Sequence, residues 1–395
     1  MADSIKDISK VLSLRRIVIP IILGIAAAGF LLVRSLNETR YVEVNQGSYA
    51  WQDSNGNGLV DYDDPQEFKE SPNGSFDEMS FVEMLSAQKW GTHTLIGLGL
   101  ALLMIVVRDG GYMYRIRVLT DNKLSWRQSF RTIMLWEFAS ALTPSVVGGS
   151  GIAIFILNRE GINLGKSTAT VFITALMDEL FYVLTVPLVL LIVGADQLFP
   201  ESWAGSTFIF SSLKPLFLFG YFFIVALTLI ISLSIFFFPH KFKRIVQRIF
   251  TMGLLKRWLR RATKMGDEVI IASRELKDKR FSFWAKAFGS TYASWTARFL
   301  TLNFLLMAFT QDFDHVIAYG KQLVMWVIML ISPTPGSSGV AELALDSFFN
   351  DLFESGMTLF LIAVLWRLLT YFLYLFIGAA IFPKWLKTTA SLVSR

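Results

Sequence analysis

Residues 142–161 read LTPSVVGGSGIAIFILNREG, and residues 333–345 read PTPGSSGVAELAL. In the first, Pro144 precedes Gly148, Gly149 and Gly151; in the second, Pro333 and Pro335 precede Gly336 and Gly339. Glycine and proline permit a sharp backbone reversal that an ordinary spanning helix resists. Irregular backbone at membrane depth survives only where protein or a wet cavity satisfies its polar groups. The interrupted apolar stretches 131–157 and 316–349 are therefore read as re-entrant hairpins.

The rest of the chain supplies the membrane around them. Of 395 residues, 53% are apolar and 35 are Phe, gathered in blocks at 17–34, 91–107, 168–194, 214–239, 284–309 and 357–382. Each is long enough to cross about 30 Å of hydrocarbon. The expected fold is an all-α polytopic membrane protein with about six spanning helices plus the two hairpins. With no Cys, disulfides, thiolate metal sites and cysteine nucleophiles are excluded. The net charge of +6 is not gathered in a basic soluble domain, so nucleic acid is not an expected partner.

Loop charges set the orientation, since cytoplasmic loops collect Lys and Arg. Lys6, Lys10, Arg15 and Arg16 put the N-terminus inside, and Lys384, Lys387 and Arg395 do the same for the C-terminus. Ala26–Ala28 resemble a signal-cleavage site, but the apolar block runs on to Val33 and favours an uncleaved helix. The segment 36–90 is acidic and falls outside, whereas Arg108, Arg115, Arg117, Lys123, Arg127 and Arg131 read as an inside loop. The stretch 240–264 is the strongest inside signal, and it reads either as an ordinary positive-inside loop or as an amphipathic helix on an anionic lipid surface. These boundaries divide the chain into 1–35 (cytoplasmic segment and first helix), 36–90 (extracytoplasmic acidic loop), 91–213 (first repeat), 214–283 (a span and the basic cytoplasmic segment) and 284–395 (second repeat and tail).

With this orientation the hairpins enter from opposite faces, each between two spanning helices. That is an inverted repeat, which in secondary transporters places the substrate site between the halves near the midplane. Aligning Gly148 with Gly336 without gaps puts Glu179 opposite Arg367. Each is an ionisable residue within an apolar segment, where charge usually marks function, and the two are expected to pair across the repeat axis.

The motifs Leu142-Thr143-Pro144 through Gly148-Gly149 with Arg159 and Gly161, Pro333-Thr334-Pro335-Gly336 through Gly339-Val340 to Glu342, and Arg367-Leu368-Leu369-Thr370-Tyr371 carry a family resemblance. Over residues 91–385 the chain resembles the flippase-like transmembrane region of lysylphosphatidylglycerol synthases, the multiple peptide resistance factors. Ser337 and Ala341 stand where that family usually has a second glycine and a basic residue. The resemblance implies a stand-alone member in the cytoplasmic membrane of a prokaryote, without the synthase domain and not an enzyme. The implied task is moving a polar-headgroup lipid, an aminoacyl-phospholipid or a polyprenyl-linked lipid, between leaflets.

For that task the candidate substrate-binding residues are Pro144, Gly148, Gly149, Gly151, Arg159, Glu179, Arg298, Pro335, Gly336, Gly339, Glu342 and Arg367. Half-helix N-termini at the glycines can hold an anion, and the ionisable residues can match a charged headgroup. The alternatives are a membrane-embedded lipid-modifying transferase and an ion-coupled small-solute carrier. Against the transferase, Asp178 and Glu179 are neighbours that point about 100° apart on a helix, and no HExxH or Walker loop is present. A homo-oligomer is compatible with all three readings.

One motif stands outside the repeats. Residues 53–64, DSNGNGLVDYDD, follow the EF-hand calcium loop. Asp53, Asn55, Asn57, Leu59 (through its carbonyl), Asp61 and Asp64 take the ligand positions, and Gly58 makes the turn. A structural, extracytoplasmic calcium ion is the expected cofactor.

Overall fold

The computed structural model describes residues 39–54, 64–80, 90–142, 146–199, 213–251, 259–310, 313–329, 340–353 and 356–393, with single positions at 33, 56, 58, 60, 62, 82, 83, 86 and 256. The expected first helix at 17–34 therefore lies outside the described residues, apart from Val33.

The acidic segment is not only loop. β1 (Thr39–Trp51) and β2 (Phe68–Ser80) form an antiparallel hairpin, which corrects the all-α expectation. Strand side chains alternate between faces. Tyr41 accordingly stacks on Phe68, ring centroids 4.0 Å apart, while its neighbour Val42 packs against Phe360, Leu361 and Val364. Val42 and the Arg40 guanidinium, 4.5 Å from the Phe360 ring centroid, hold the hairpin onto the helical body. The aromatic strand formers were hidden by the acid-rich composition.

The helices follow in two similar series. The first is α1 (Thr92–Leu119), α2 (Trp126–Leu142), α3 (Val146–Arg159) and α4 (Leu164–Val193). Then come α5 (Leu213–Ser232) with a π turn at Leu233–Phe237, α6 (Pro239–Phe250) and α7 (Leu259–Leu276). The second series is α8 (Phe281–Phe309), α9 (His315–Met329), α10 (Val340–Phe349), α11 (Gly356–Arg367) and, after a π turn at Leu368–Phe372, α12 (Leu373–Val393). Among the described residues, Thr92–Leu119, Leu164–Val193, Lys214–Phe237 and Thr358–Leu386 are long and apolar enough to cross a membrane. α8 has 29 residues, but Ser290, Thr291, Ser294, Arg298 and Asn303 leave it outside that set.

On the spans, large apolar side chains are exposed while charges are buried. Val106 is 67% exposed and Leu191 85%, whereas Arg108 on the same helix as Val106 is 2% exposed. A water-soluble protein arranges these the other way round. The helices also approach closely through small residues, the usual device where lipid gives no hydrophobic drive to helix association. A Cβ on Gly97 would lie 2.7 Å from the Cα of Ala308, and one on Gly111 would meet the Ser294 hydroxyl. As α1 advances from 97 to 111, its contacts on α8 retreat from 308 to 294, so the two helices run antiparallel.

The basic stretch 240–264 is not one helix. α6 ends at Phe250, α7 begins at Leu259, and Thr251 turns the chain with its hydroxyl donating to the Arg248 carbonyl. Asp121, in the turn after α1, accepts from Lys166 at the start of α4 and from Lys279 ahead of α8. Burial raises the Asp121 carboxyl, but its bonds and attraction to Lys166 and Lys279 outweigh this and hold it below its ordinary value.

Candidate functional site

α1 does not stop at the end of its apolar block; it continues to Leu119, roughly 42 Å of helix. Arg108, Tyr112 and Arg115 fall at i, i+4 and i+7 and so share one face. Arg108 and Arg115, expected in a cytoplasmic loop, are instead buried in this helix at 2% and 5% exposure. Carboxylates from other helices make this possible, because a buried charge must be paired and hydrogen-bonded.

Two ion-pair clusters result. Arg108 reaches Asp109 at 3.0 Å and Glu137 of α2 at 2.8 Å, with its guanidinium 4.5 Å from the Tyr374 ring centroid. The Tyr374 hydroxyl, on α12, donates to Asp109 at 3.0 Å. Two turns further on, Arg115 pairs with Asp178 of α4 and donates to Thr291 of α8 at 3.1 Å. Trp295 Nε1 completes this cluster by donating to Asp178 at 2.8 Å. The Ser294 hydroxyl, donating to the Arg108 carbonyl at 2.9 Å, stitches α8 to α1 between the two clusters. Helices from both series therefore build one continuous polar core.

Beside that core stand polar groups left open. Glu179 Oε2 and the Tyr182 hydroxyl, one turn apart on α4, are buried and have no hydrogen-bond partner among the described residues. Arg298 has no carboxylate partner among the described residues; its guanidinium lies 5.1 Å from the Trp295 ring centroid and 4.2 Å from that of Trp326. Because Trp295 also donates to Asp178, Arg298 stands beside the Arg115 cluster.

The expected Glu179–Arg367 pair does not form. Arg367 Nε bonds Glu342 of α10 at 2.8 Å, and its guanidinium lies 4.6 Å from the Tyr371 ring centroid. A nearer acid within its own half neutralises it. Gly148, Gly149 and Gly151 lie within α3 and make no turn there; Gly148 and Gly149 are in its first turn, where backbone N–H groups lack helical acceptors. Arg159 ends α3 and covers the Phe155 ring, 5.1 Å from its centroid. Pro144, Pro335, Gly336 and Gly339 lie outside the described residues.

Sequence reasoning missed Arg108, Asp109, Arg115 and Tyr374 as site residues. The i, i+4, i+7 spacing of Arg108, Tyr112 and Arg115 was the available signal. It also missed the buried Glu160 at the far end of α3, which accepts from Arg131 and, at 2.7 Å, from Trp385 Nε1.

In the 53–64 loop, the Asp53 carboxylate accepts from the N–H groups of Gly56 at 2.6 Å and Gly58 at 2.9 Å. Both glycines have positive φ, +73° and +72°. Asp64 caps the short helix Pro65–Glu67 by accepting from Gln66 N–H at 2.9 Å. Asn55, Asn57, Leu59 and Asp61 lie outside the described residues.

Outward apolar faces, spanning helices and a buried ionic core define a multi-pass helical membrane protein with a polar site inside it. Residues 77–378 match the family model described as "Lysylphosphatidylglycerol synthase TM region", and the chain belongs to that family. It is also similar to a "UPF0104 membrane protein" of Archaeoglobus fulgidus, 24% identical over 272 residues that cover 66% of this chain and 78% of that protein. No solved structure matches.

Proposed function

We infer that the chain is a lipid flippase-like transporter that moves a polar-headgroup lipid, an aminoacyl-phospholipid or a polyprenyl-linked lipid, between leaflets. The observation that carries this is the polar core built jointly by both helical series, with Glu179, Tyr182 and Arg298 open beside it. Headgroups need such a lined path because a charge in bare hydrocarbon is costly.

An inverted repeat supports the mechanism. A long helix, two short helices and a long helical run recur in order, and the first members, α1 and α8, lie antiparallel. The packing is reciprocal: Gly320 of α9 meets Val189 of α4, and Gly378 of α12 meets Phe138 of α2. Each short-helix pair thus rests on the closing helix of the opposite series. In our reading the short pairs are re-entrant hairpins entering from opposite faces, and rocking of one half against the other alternates access to the polar core. Both termini are cytoplasmic and the β-hairpin is extracytoplasmic, with a structural calcium ion in its 53–64 loop.

The test is reconstitution in liposomes carrying phospholipids with fluorescent headgroup-proximal labels. Protein-dependent exposure of inner-leaflet label to a membrane-impermeant quencher is expected. If no tested phosphatidylglycerol, aminoacyl-phosphatidylglycerol or polyprenyl phosphate moves faster than in empty liposomes, the flippase reading fails.

A further inference from the structure

The face of α6 turned away from the protein is built for a membrane surface. Phe242 and Val246 point toward the body, with Val246 8% exposed and Phe242 packed on the cluster around Ile235 and Val269. Lys243 is drawn inward to Asp267, and a Cβ on Gly266 would lie 2.6 Å from the Lys243 side chain, so α6 is clamped to α7. The outward face carries Lys241, Arg244 and Arg248 with Ile245, 58% exposed, and Ile249, 47% exposed. None of these three cations has a carboxylate partner among the described residues; Lys241 sits 4.6 Å from the Phe238 ring centroid.

Chain continuity says what this face meets. The apolar span Lys214–Phe237 ends two residues before α6 begins at Pro239. The helix therefore starts at the level where hydrocarbon gives way to headgroups. Phe236, Phe237 and Phe238, all exposed, continue the apolar surface from the span onto the helix. Phe236 also lines an open apolar cavity of about 600 Å³ between α4, α5 and the start of α8, so the lipid-facing surface runs unbroken to α6. A soluble acidic protein would meet the cations but would have to cover isoleucines at the bilayer edge.

We propose that α6 lies in the interface of an anionic leaflet, Ile245 and Ile249 inserted among the acyl-chain roots and Lys241, Arg244 and Arg248 bound to phospholipid phosphates. Apolar insertion and attraction to anionic headgroups act together in such helices. Because α6 is clamped to α7, and α7 packs on α4, which carries Asp178 and Glu179, this contact holds the cytoplasmic-facing end of the site helix at a fixed depth.

The test uses the full chain, which has no native cysteine to interfere. Nitroxide labels at Ile249→Cys and Ile245→Cys, with Lys277→Cys as a water-exposed reference, are compared in nanodiscs of phosphatidylcholine alone and mixed with phosphatidylglycerol. Labels at 245 and 249 should favour collision with oxygen over a water-soluble nickel complex, and more so with phosphatidylglycerol. Adding Lys241→Gln, Arg244→Gln and Arg248→Gln should erase the phosphatidylglycerol dependence while leaving the label at 277 unchanged. Nickel accessibility at 245 and 249 equal to that at 277 overturns the proposal. So does burial that ignores lipid charge, or spin–spin broadening that assigns the face to a second copy. Lipid transport is not part of the readout, so this result stands apart from the flippase test.

Discussion

The pair between Arg115 and Asp178 is the most exacting test of the polar core. The Arg115 side chain is 7% exposed and that of Asp178 is 26% exposed. Asp178→Asn keeps an acceptor for Trp295 Nε1 but leaves the Arg115 guanidinium without its counter-charge. Breaking a buried pair this way costs about 3–5 kcal/mol, two to four decades in the folded fraction and a large share of the roughly 5–15 kcal/mol that holds a typical domain. Arg115→Gln should cost less, because a stranded carboxylate can be hydrated or take a proton and a guanidinium cannot. The double change strands no charge, so the cycle should show a coupling near the upper part of the roughly 0.5–3 kcal/mol range for contacting residues. The assay is denaturant unfolding of detergent-purified variants followed by tryptophan fluorescence. Additive losses, or Arg115→Gln proving the more damaging single change, would refute this account of the core.

Gly97→Ala forces a Cβ to within 2.7 Å of the Ala308 backbone, which cannot rotate away; we expect about 1–3 kcal/mol of lost stability, read in the same unfolding assay. Asp121→Asn should cost under about 1 kcal/mol at neutral pH, since the carboxylate is half-exposed. Its folded value is depressed, so the wild-type advantage is full above the unfolded carboxyl value and disappears as pH falls through the folded one; an Asp121→Asn difference that persists in acid contradicts the assignment. For the 53–64 loop, terbium luminescence sensitised by Tyr62 or Trp51 on the full chain should saturate and be displaced by calcium, and Asp53→Ala should abolish it; no signal at millimolar ion leaves the loop a turn. Glu179→Gln should leave folding intact while changing lipid transport in liposomes, whereas Glu342→Gln should lower the yield of folded protein.

Much of the architecture was legible because bilayer thickness fixes the length of an apolar block. The blocks at 91–107, 168–194, 214–239 and 357–382 each became a helix that can span. The proline- and glycine-bearing segments 143–145 and 330–339 lie outside the described residues. The hairpin of β1 and β2 escaped notice because its strand signal, Tyr41, Val42, Tyr49, Trp51, Phe68 and Phe76, is diluted by surrounding acids. The polar core escaped for a different reason. Arg108 and Arg115 follow an apolar block, as positive-inside residues do, and only their partners distinguish a buried arginine from a loop arginine. Asp178 is 63 residues away from Arg115, beyond any local pattern.

The failed Glu179–Arg367 pairing shows where a repeat alignment stops being informative. Symmetry makes positions equivalent, but it does not make their neighbours equivalent. Setting Gly148 against Gly336 places Glu342 opposite Ile154, so the acid that neutralises Arg367 has no counterpart in the first half. The second half therefore closes its own charge. Among the described residues, the first half keeps one Glu179 carboxylate oxygen and the neighbouring Tyr182 hydroxyl without a hydrogen-bond partner. A buried polar group left unpaired costs free energy that a merely structural residue would have been replaced to avoid. Under the flippase reading proposed above, a headgroup bonded to these atoms would recover that cost. The two halves therefore differ in charge closure: Arg367 is matched by Glu342 in the second, while Glu179 Oε2 and the Tyr182 hydroxyl in the first have no hydrogen-bond partner among the described residues, and it is this difference that the Glu179→Gln transport measurement tests.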